Sequence, residues 1–229
     1  MKFVKLAFLL SFIAGILVLN AADSHAPKKQ TKDDNRGKTL YMTCQPCHGS
    51  VGQGNPITNA PAIAGMESWY LNVQIKKFKN GVRGAHPEDV AGLQMRPMAR
   101  TLVSDEDVVA VSDYIESLPH YPAKKTVKGD AAKGKVAYNN CVACHGANAE
   151  GNKLMKGPAL VRLPDWYIVS QLEKFKTGLR GTHHKDITGM QMRPAAQQLN
   201  AEMRNDIAVY IGSLNSGSEK AADSKSSDH

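Results

Sequence analysis

Along residues 69–78, Trp-Tyr-Leu-Asn-Val-Gln-Ile-Lys-Lys-Phe, apolar side chains fall at Leu71, Ile75 and Phe78. That i, i+4, i+7 spacing is one face of a helix. The same face returns at Ile168, Leu172 and Phe175, and glycines at Gly81 and Gly178 predict where each helix stops. A second stripe, Val108, Val111, Ile115 and Leu118, follows Ser104, with Asp107 three residues on, the pattern of an N-cap with an acidic first turn. Ile207, Ile211 and Leu214 repeat it after Asn200. One further helical stretch is expected around Gly37, Tyr41, Cys44 and Cys47, and again around Gly134, Tyr138, Cys141 and Cys144. Three helices in each half predict an all-α chain.

The halves are copies. Cys44 and Cys141 lie 97 residues apart, and the same offset pairs Gly37 with Gly134, His48 with His145, Pro61 with Pro158 and Trp69 with Trp166. It also pairs Phe78 with Phe175, Arg83 with Arg180, His86 with His183, Met95-Arg96-Pro97 with Met192-Arg193-Pro194, and Leu102 with Leu199. No gap is needed from 37 to 102. The last helix is one residue shorter in the second copy, since Tyr114-Ile115 matches Tyr210-Ile211. Two domains related by duplication are therefore expected, over 34–119 and 130–214. A linker rich in proline and lysine, 120–129, joins them. A polar segment, 215–229, is expected to be a disordered tail.

The chemistry sits in Cys44-Gln-Pro-Cys47-His48 and Cys141-Val-Ala-Cys144-His145, which use all four cysteines. Two thiols so spaced add across the two vinyl groups of one haem, and the adjoining histidine becomes the iron's proximal ligand. Two motifs imply two covalently attached haems. A thioredoxin-like pair has no need of the histidines. A four-cysteine zinc site has to join pairs about a hundred residues apart, and a disulfide framework suits a shorter secreted chain.

A second axial ligand is expected from methionine. Met95 and Met192 match at the offset in Gln-Met-Arg-Pro, each 47 residues after its histidine, whereas Met98 and Met190 have no methionine counterpart. The competing use of a methionine is to fill a core gap. Pro61 and Pro158, 13 residues after each histidine, either offer a carbonyl to the histidine Nδ1 or punctuate a loop. Arg83 and Arg180 either grip haem propionates with a guanidinium fork or are solvated surface residues. His86 and His183 are expected at the surface or beside the propionates, and the tryptophans as packing residues.

The chain opens with Lys2 and Lys5 and an apolar run from Leu6 to Leu19, then small residues at 21–26. This is the pattern of a secretory signal over 1–26, cleaved or kept as an anchor. Export agrees with the haem motif and predicts a periplasmic protein, membrane-associated if the signal is kept. The net charge is +8, or +7 without residues 1–26, with the lysines spread out. That argues against nucleic acid and for an acidic protein face as partner. The first copy carries a net −1 and the second +4. The second copy is therefore expected to dock the more acidic partner, through Lys174 and Lys176 among others.

Each copy resembles a class I cytochrome c domain: Gly37, Tyr41, Cys44, Cys47, His48, Pro61, Met95 and Tyr114, then Gly134, Tyr138, Cys141, Cys144, His145, Pro158, Met192 and Tyr210. The tandem arrangement, with Phe-Lys-x-Gly-x-Arg before each methionine, looks like the dihaem cytochrome c4 family. The resemblance implies that the first and last helices of each domain cross near the glycine and tyrosine. It also implies a proline carbonyl bonded to each proximal histidine. The function expected is single-electron transfer between a quinol-oxidising membrane complex and a terminal oxidase or periplasmic reductase, without catalysis. The alternatives are a dihaem enzyme, such as a peroxidase or a thiosulfate-oxidising protein, or a haem subunit fixed in a respiratory complex. One departure stands out: Arg162 occupies the position of Gly65, which puts the second copy's loop geometry in question.

Overall fold

The computed structural model describes residues 32–223, with side chains over 35–215. The expected signal segment lies outside the described residues. The first repeat runs α1 (Lys32–Tyr41), α2 (Gln45–His48), a 3-10 turn (Pro56–Thr58), α3 (Ser68–Lys79), α4 (Val90–Arg100) and α5 (Asp105–Ser117). The second runs α6 (Ala131–Tyr138), α7 (Val142–His145), α8 (Asp165–Thr177), α9 (Ile187–Gln197) and α10 (Ala201–Asp223). No strand occurs among the described residues. Two isolated bridges, Asn55 with Ala60 and Asn152 with Gly157, close equivalent loops.

In each repeat the first and last helices cross, α1 on α5 and α6 on α10. Glycine permits the contact. A Cβ on Gly37 would lie 2.2 Å from the Ala110 carbonyl oxygen, and one on Gly134 2.0 Å from that of Asp206. Beside each crossing a tyrosine pair packs with ring centroids 5.5 Å apart, Tyr41 with Tyr114 and Tyr138 with Tyr210. Val108, Val111 and Ile115 are buried in the first core, and Ile207 and Ile211 in the second. The α5 start is a capping box: Ser104 accepts from the Asp107 amide, and Asp107 accepts from the Ser104 amide.

The structure departs from the sequence expectation at four places. The first helical stretch of each copy is broken into two, because the chain turns at 42–44 and 139–141 to bring the motif back over the core. A further helix appears in each repeat, α4 and α9, and it carries the matched methionines. Glycine and proline inside both segments (Gly92, Pro97; Gly189, Pro194) disguise them, while Asp89 and Asp186 cap their starts by accepting from the Gly92 and Gly189 amides at 3.0 Å. The last helix continues through Asp223, so 216–223 of the expected tail is helical backbone. Finally, the linker is anchored: the Thr126 and Val127 amides donate to Asp165 Oδ2 at 2.6 and 2.8 Å, holding it to the start of α8.

The two repeats belong to one compact unit. The loop around Arg162 keeps the first copy's geometry. Leu160 and Val161 amides donate to the Ala149 carbonyl, as Ile63 and Ala64 amides do to that of Gly52. Arg162 Nη1 instead reaches across to the Gly65 carbonyl, at 2.6 Å, so the two matched positions touch.

Candidate functional site

The CxxCH segments lie on α2 and α7 and the turns before them. His48 is 6% exposed, and its Nδ1 lies 2.9 Å from the Pro61 carbonyl oxygen. His145, equally buried, has Nδ1 2.8 Å from the Pro158 carbonyl. Burial pushes both imidazoles below the ordinary histidine range, and the proline carbonyls oppose it. A neutral ring whose Nδ1–H is committed to a carbonyl leaves Nε2 as the metal-binding nitrogen. Tyr41 and Tyr138 steady the turn after each histidine by donating to the Gly49 and Gly146 carbonyls at 2.6 and 2.9 Å.

A cavity of about 370 Å³ opens beside His48, with Cys44 and Cys47 on its wall. Its apolar lining comes from the loop before α3, from α3 and from the chain after it, including Ile63, Leu71, Phe78 and Leu102. Met95 and Met98 both line it, so the cavity alone does not choose between them; Met98 is the more exposed. A histidine held through Nδ1, two cysteines on the wall, apolar sides and a thioether in reach form the donor set that fits a haem. No group of three or more His, Cys, Asp or Glu suited to a metal ion occurs among the described residues, so the two cysteine pairs do not converge on a zinc site.

Arg83 and Arg180 are 8% exposed, which rules out the solvated reading. They face the other repeat. Arg83 donates to Gln74 Oε1 of its own repeat and to Tyr167 Oη and Gln171 Oε1 of the second, each at 2.9 Å. Arg180 mirrors this, with Gln171 Oε1 at 2.8 Å, Gln74 Oε1 at 3.0 Å and Tyr70 Oη at 3.2 Å. Each guanidinium stacks 4.5 Å above the phenylalanine of its own repeat, Phe78 or Phe175. Burial pushes the Tyr167 hydroxyl up, and the Arg83 and Arg180 guanidiniums outweigh it, so its pKa falls below the ordinary phenol range.

Two reciprocal ion pairs complete the contact: Lys77 Nζ to Asp186 Oδ1 at 2.5 Å, and Lys174 Nζ to Asp89 Oδ1 at 2.6 Å. Residue i meets j while the copy of j meets the copy of i, the exchange of a two-fold interface. The expectation that Lys174 and Lys176 steer a partner is therefore corrected. Lys174, half-buried, is paired with the buried Asp89, and Lys176 donates to the Gln197 and Leu199 carbonyls at 3.0 and 2.8 Å. Trp166, Tyr167, Gln171 and Lys174 also line the first repeat's cavity, so the second repeat's third helix serves the first repeat's site. Sequence reasoning missed this role. The available signal was the polar face of α3, Tyr70, Gln74 and Lys77, which recurs unchanged as Tyr167, Gln171 and Lys174. His86 and His183 accept from backbone amides of their own turns at 3.2 and 3.1 Å and stay clear of the histidine–proline pairs.

Comparison with known proteins agrees with this geometry. Cytochrome c-552 of Acidithiobacillus ferridurans is 26% identical over 206 residues, covering 86% of this chain and 80% of that protein. A thiosulfate dehydrogenase electron acceptor of Thiomonas intermedia (strain K12) is 31% identical over 184 residues, 70% of this chain and 78% of that protein. The structure of reduced recombinant cytochrome c4 from Pseudomonas stutzeri superposes with a TM-score of 0.61 at 27% identity, covering 79% of this chain and 98% of that one. With both repeats matched by the Cytochrome c family over 35–119 and 131–215, the chain belongs to the cytochrome c family, as a dihaem, cytochrome c4-like electron carrier with two covalently attached haem c groups.

Proposed function

We propose that this protein is an exported, non-catalytic shuttle. It would take single electrons from a quinol-oxidising membrane complex and deliver them to a terminal oxidase or periplasmic reductase. Cys44, Cys47, Cys141 and Cys144 anchor the cofactors; His48 and Met95 are the axial ligands in the first repeat, His145 and Met192 in the second. The haem supplies reversible one-electron exchange at its iron. The Pro61 and Pro158 carbonyls orient the histidines. The methionine thioethers favour the reduced state and close the sixth position to small oxidants, which speaks for transfer over turnover. Arg83 and Arg180 give their remaining donors to haem carboxylates.

The observation that carries this reading is the matched pair of methionines, each in the same context and on the same added helix. Thiosulfate dehydrogenase electron acceptors among the relatives support a redox enzyme as one partner class. No described helix is long and apolar enough to cross a membrane.

The test is Met192→Ala in the holoprotein. It should abolish the thioether-to-iron charge-transfer band of one haem only and lower that haem's potential. The drop should be on the order of 0.1–0.3 V, part of the ~0.8 V that axial ligation spans. Met190→Ala and Met98→Ala should leave both bands intact. Loss of a band in either of these would reassign the ligand. Steady peroxidase or thiosulfate-oxidising turnover by the unsubstituted protein would favour an enzyme.

A further inference from the structure

The matched loops 55–60 and 152–157 form the same hairpin beside the second cysteine of each motif. Asn55 and Ala60 exchange backbone hydrogen bonds at 2.8 and 3.0 Å, and Asn152 and Gly157 at 2.7 and 3.0 Å. In the first repeat Thr58, Asn59 and Ala60 line the cavity with Cys47. In the second, a Cβ on Gly157 would sit 1.9 Å from the Cys144 carbonyl oxygen, so this hairpin lies directly on the motif. Both tips present apolar side chains to solvent: Ile57 is 89% exposed and Leu154 94%.

The tips differ in charge and in strain. The first reads Pro56-Ile57-Thr58-Asn59 and the second Lys153-Leu154-Met155-Lys156. Lys156 occupies the left-handed region at φ 56°, as its counterpart Asn59 does at 55°. Asparagine tolerates that conformation; lysine is poorly suited to it. A disfavoured residue held where the same chain elsewhere uses the favoured one points to a use for its side chain. Lys153 and Lys156 are exposed, and their ammonium groups make no ion pair with the described residues. In this they differ from Lys77, Lys133 and Lys174.

We propose that the 153–156 tip is the docking site for the acidic face of a redox protein, and that the first repeat's uncharged tip does not share this role. The inference rests on the carrier reading and gives the second repeat's basic excess a specific address. Leu154 and Met155 exclude water at the centre of the contact, and the two lysines rim it, the division expected of a fast, transient interface.

The holoprotein, reduced, is mixed with oxidised plastocyanin as an acidic redox probe; one electron leaves a ferrous haem and reduces Cu(II) to Cu(I). K153Q/K156Q and P56E/I57E change net charge by the same two units, and neither Pro56 nor Ile57 lines the cavity. At low ionic strength the first variant should slow the bimolecular rate about tenfold and flatten its salt dependence, within the range of electrostatic steering. The second variant should stay within about twofold. Carbodiimide should cross-link Lys153 or Lys156 to plastocyanin carboxylates. Lys156→Asn should raise the thermal midpoint by about 2 °C by relieving the backbone. Equal slowing by both variants, or cross-links confined to other lysines, would overturn the proposal. So would a lowered midpoint, or capture of the tip by phosphatidylglycerol vesicles without any plastocyanin cross-link. In each of these cases electron exchange with hexacyanoferrate still upholds the carrier. A holoprotein that fails to exchange electrons with hexacyanoferrate would bring down the carrier reading and this one together.

Discussion

The first repeat places glycine or asparagine at its left-handed positions, Gly52 at φ 76°, Asn59 at 55° and Gly65 at 68°. The second repeat keeps the left-handed backbone at the first two and fills them with Ala149 and Lys156; at the third it carries Arg162. Against this, the helix crossings, the histidine–proline pairs and the arginine contacts agree between copies to within a few tenths of an ångström. What both copies keep is what holding a haem and meeting each other require. At the third of the divergent positions, Arg162 makes a contact its twin does not.

The shared interface gives the largest predicted effect. Lys77→Ala strands Asp186, 2% exposed, without its cation, and should cost about 3 kcal/mol, near the lower end for breaking a buried pair because Lys77 keeps some solvent contact. Lys174→Ala strands Asp89 in the same way but should cost about 1 kcal/mol less. The reason is that Lys77 also donates to Thr188 Oγ1 at 2.7 Å, and the first repeat has Ala91 at that place. Urea unfolding of the two single variants measures the difference. Equal losses would mean that Thr188 adds nothing.

A second asymmetry is acid-sensitive. Burial pushes the Asp165 carboxyl up, but the Val127 and Thr126 amides, the Thr126 hydroxyl and the Trp166 amide together hold it below the ordinary carboxylate range. A depressed carboxylate contributes stability above its unfolded pKa, about 4, and that contribution is lost as pH falls through the folded value. Below about pH 4, amide exchange at Thr126 and Val127 should accelerate by about tenfold beyond its intrinsic pH dependence, consistent with local opening of the linker. Asp165→Asn should remove that extra pH dependence. The counterpart position holds Ser68, which donates to Asp113, so the start of α3 should show a weaker response.

The smallest effect lies at the left-handed pair. Gly52→Ala adds a Cβ 3.0 Å from Ala64 in a disfavoured conformation and should cost about 1 kcal/mol. Ala149→Gly relieves the same conformation but removes a fully buried methyl, and the two effects should cancel to within about 0.5 kcal/mol. Denaturant midpoints of both variants check this. A clear gain for Ala149→Gly would show that the backbone term dominates.

The motif, the duplication and the long amphipathic helices were readable because each depends on spacing within a few turns of chain. Leu71 and Phe78, or Val108, Val111 and Ile115, announce their burial by period alone. The helices bearing Met95 and Met192 were hidden because Gly92 and Pro97 act locally as breakers, while the cap from Asp89 and the packing around it override them. The interface was hidden for a different reason. Tyr70, Gln74 and Lys77 form a polar stripe, and a polar stripe reads as solvent-facing unless a second copy of it is known to lie opposite. Arg83 is readable as a candidate, but its partners in the other repeat lie 84 and 88 positions away. No local pattern encodes such a distance.

Arg162 and Gly65 occupy one and the same position in the two copies, yet the arginine of one lies on the carbonyl of the other. In an assembly of two identical chains a residue beside the axis faces its own image. Two arginines there would repel each other, and two glycines would offer that carbonyl no guanidinium. Joining both copies in one polypeptide lifts the requirement of identity at the axis, so donor and acceptor can be written separately. The join that ties the two haem domains together is thus also what allows them to become unlike.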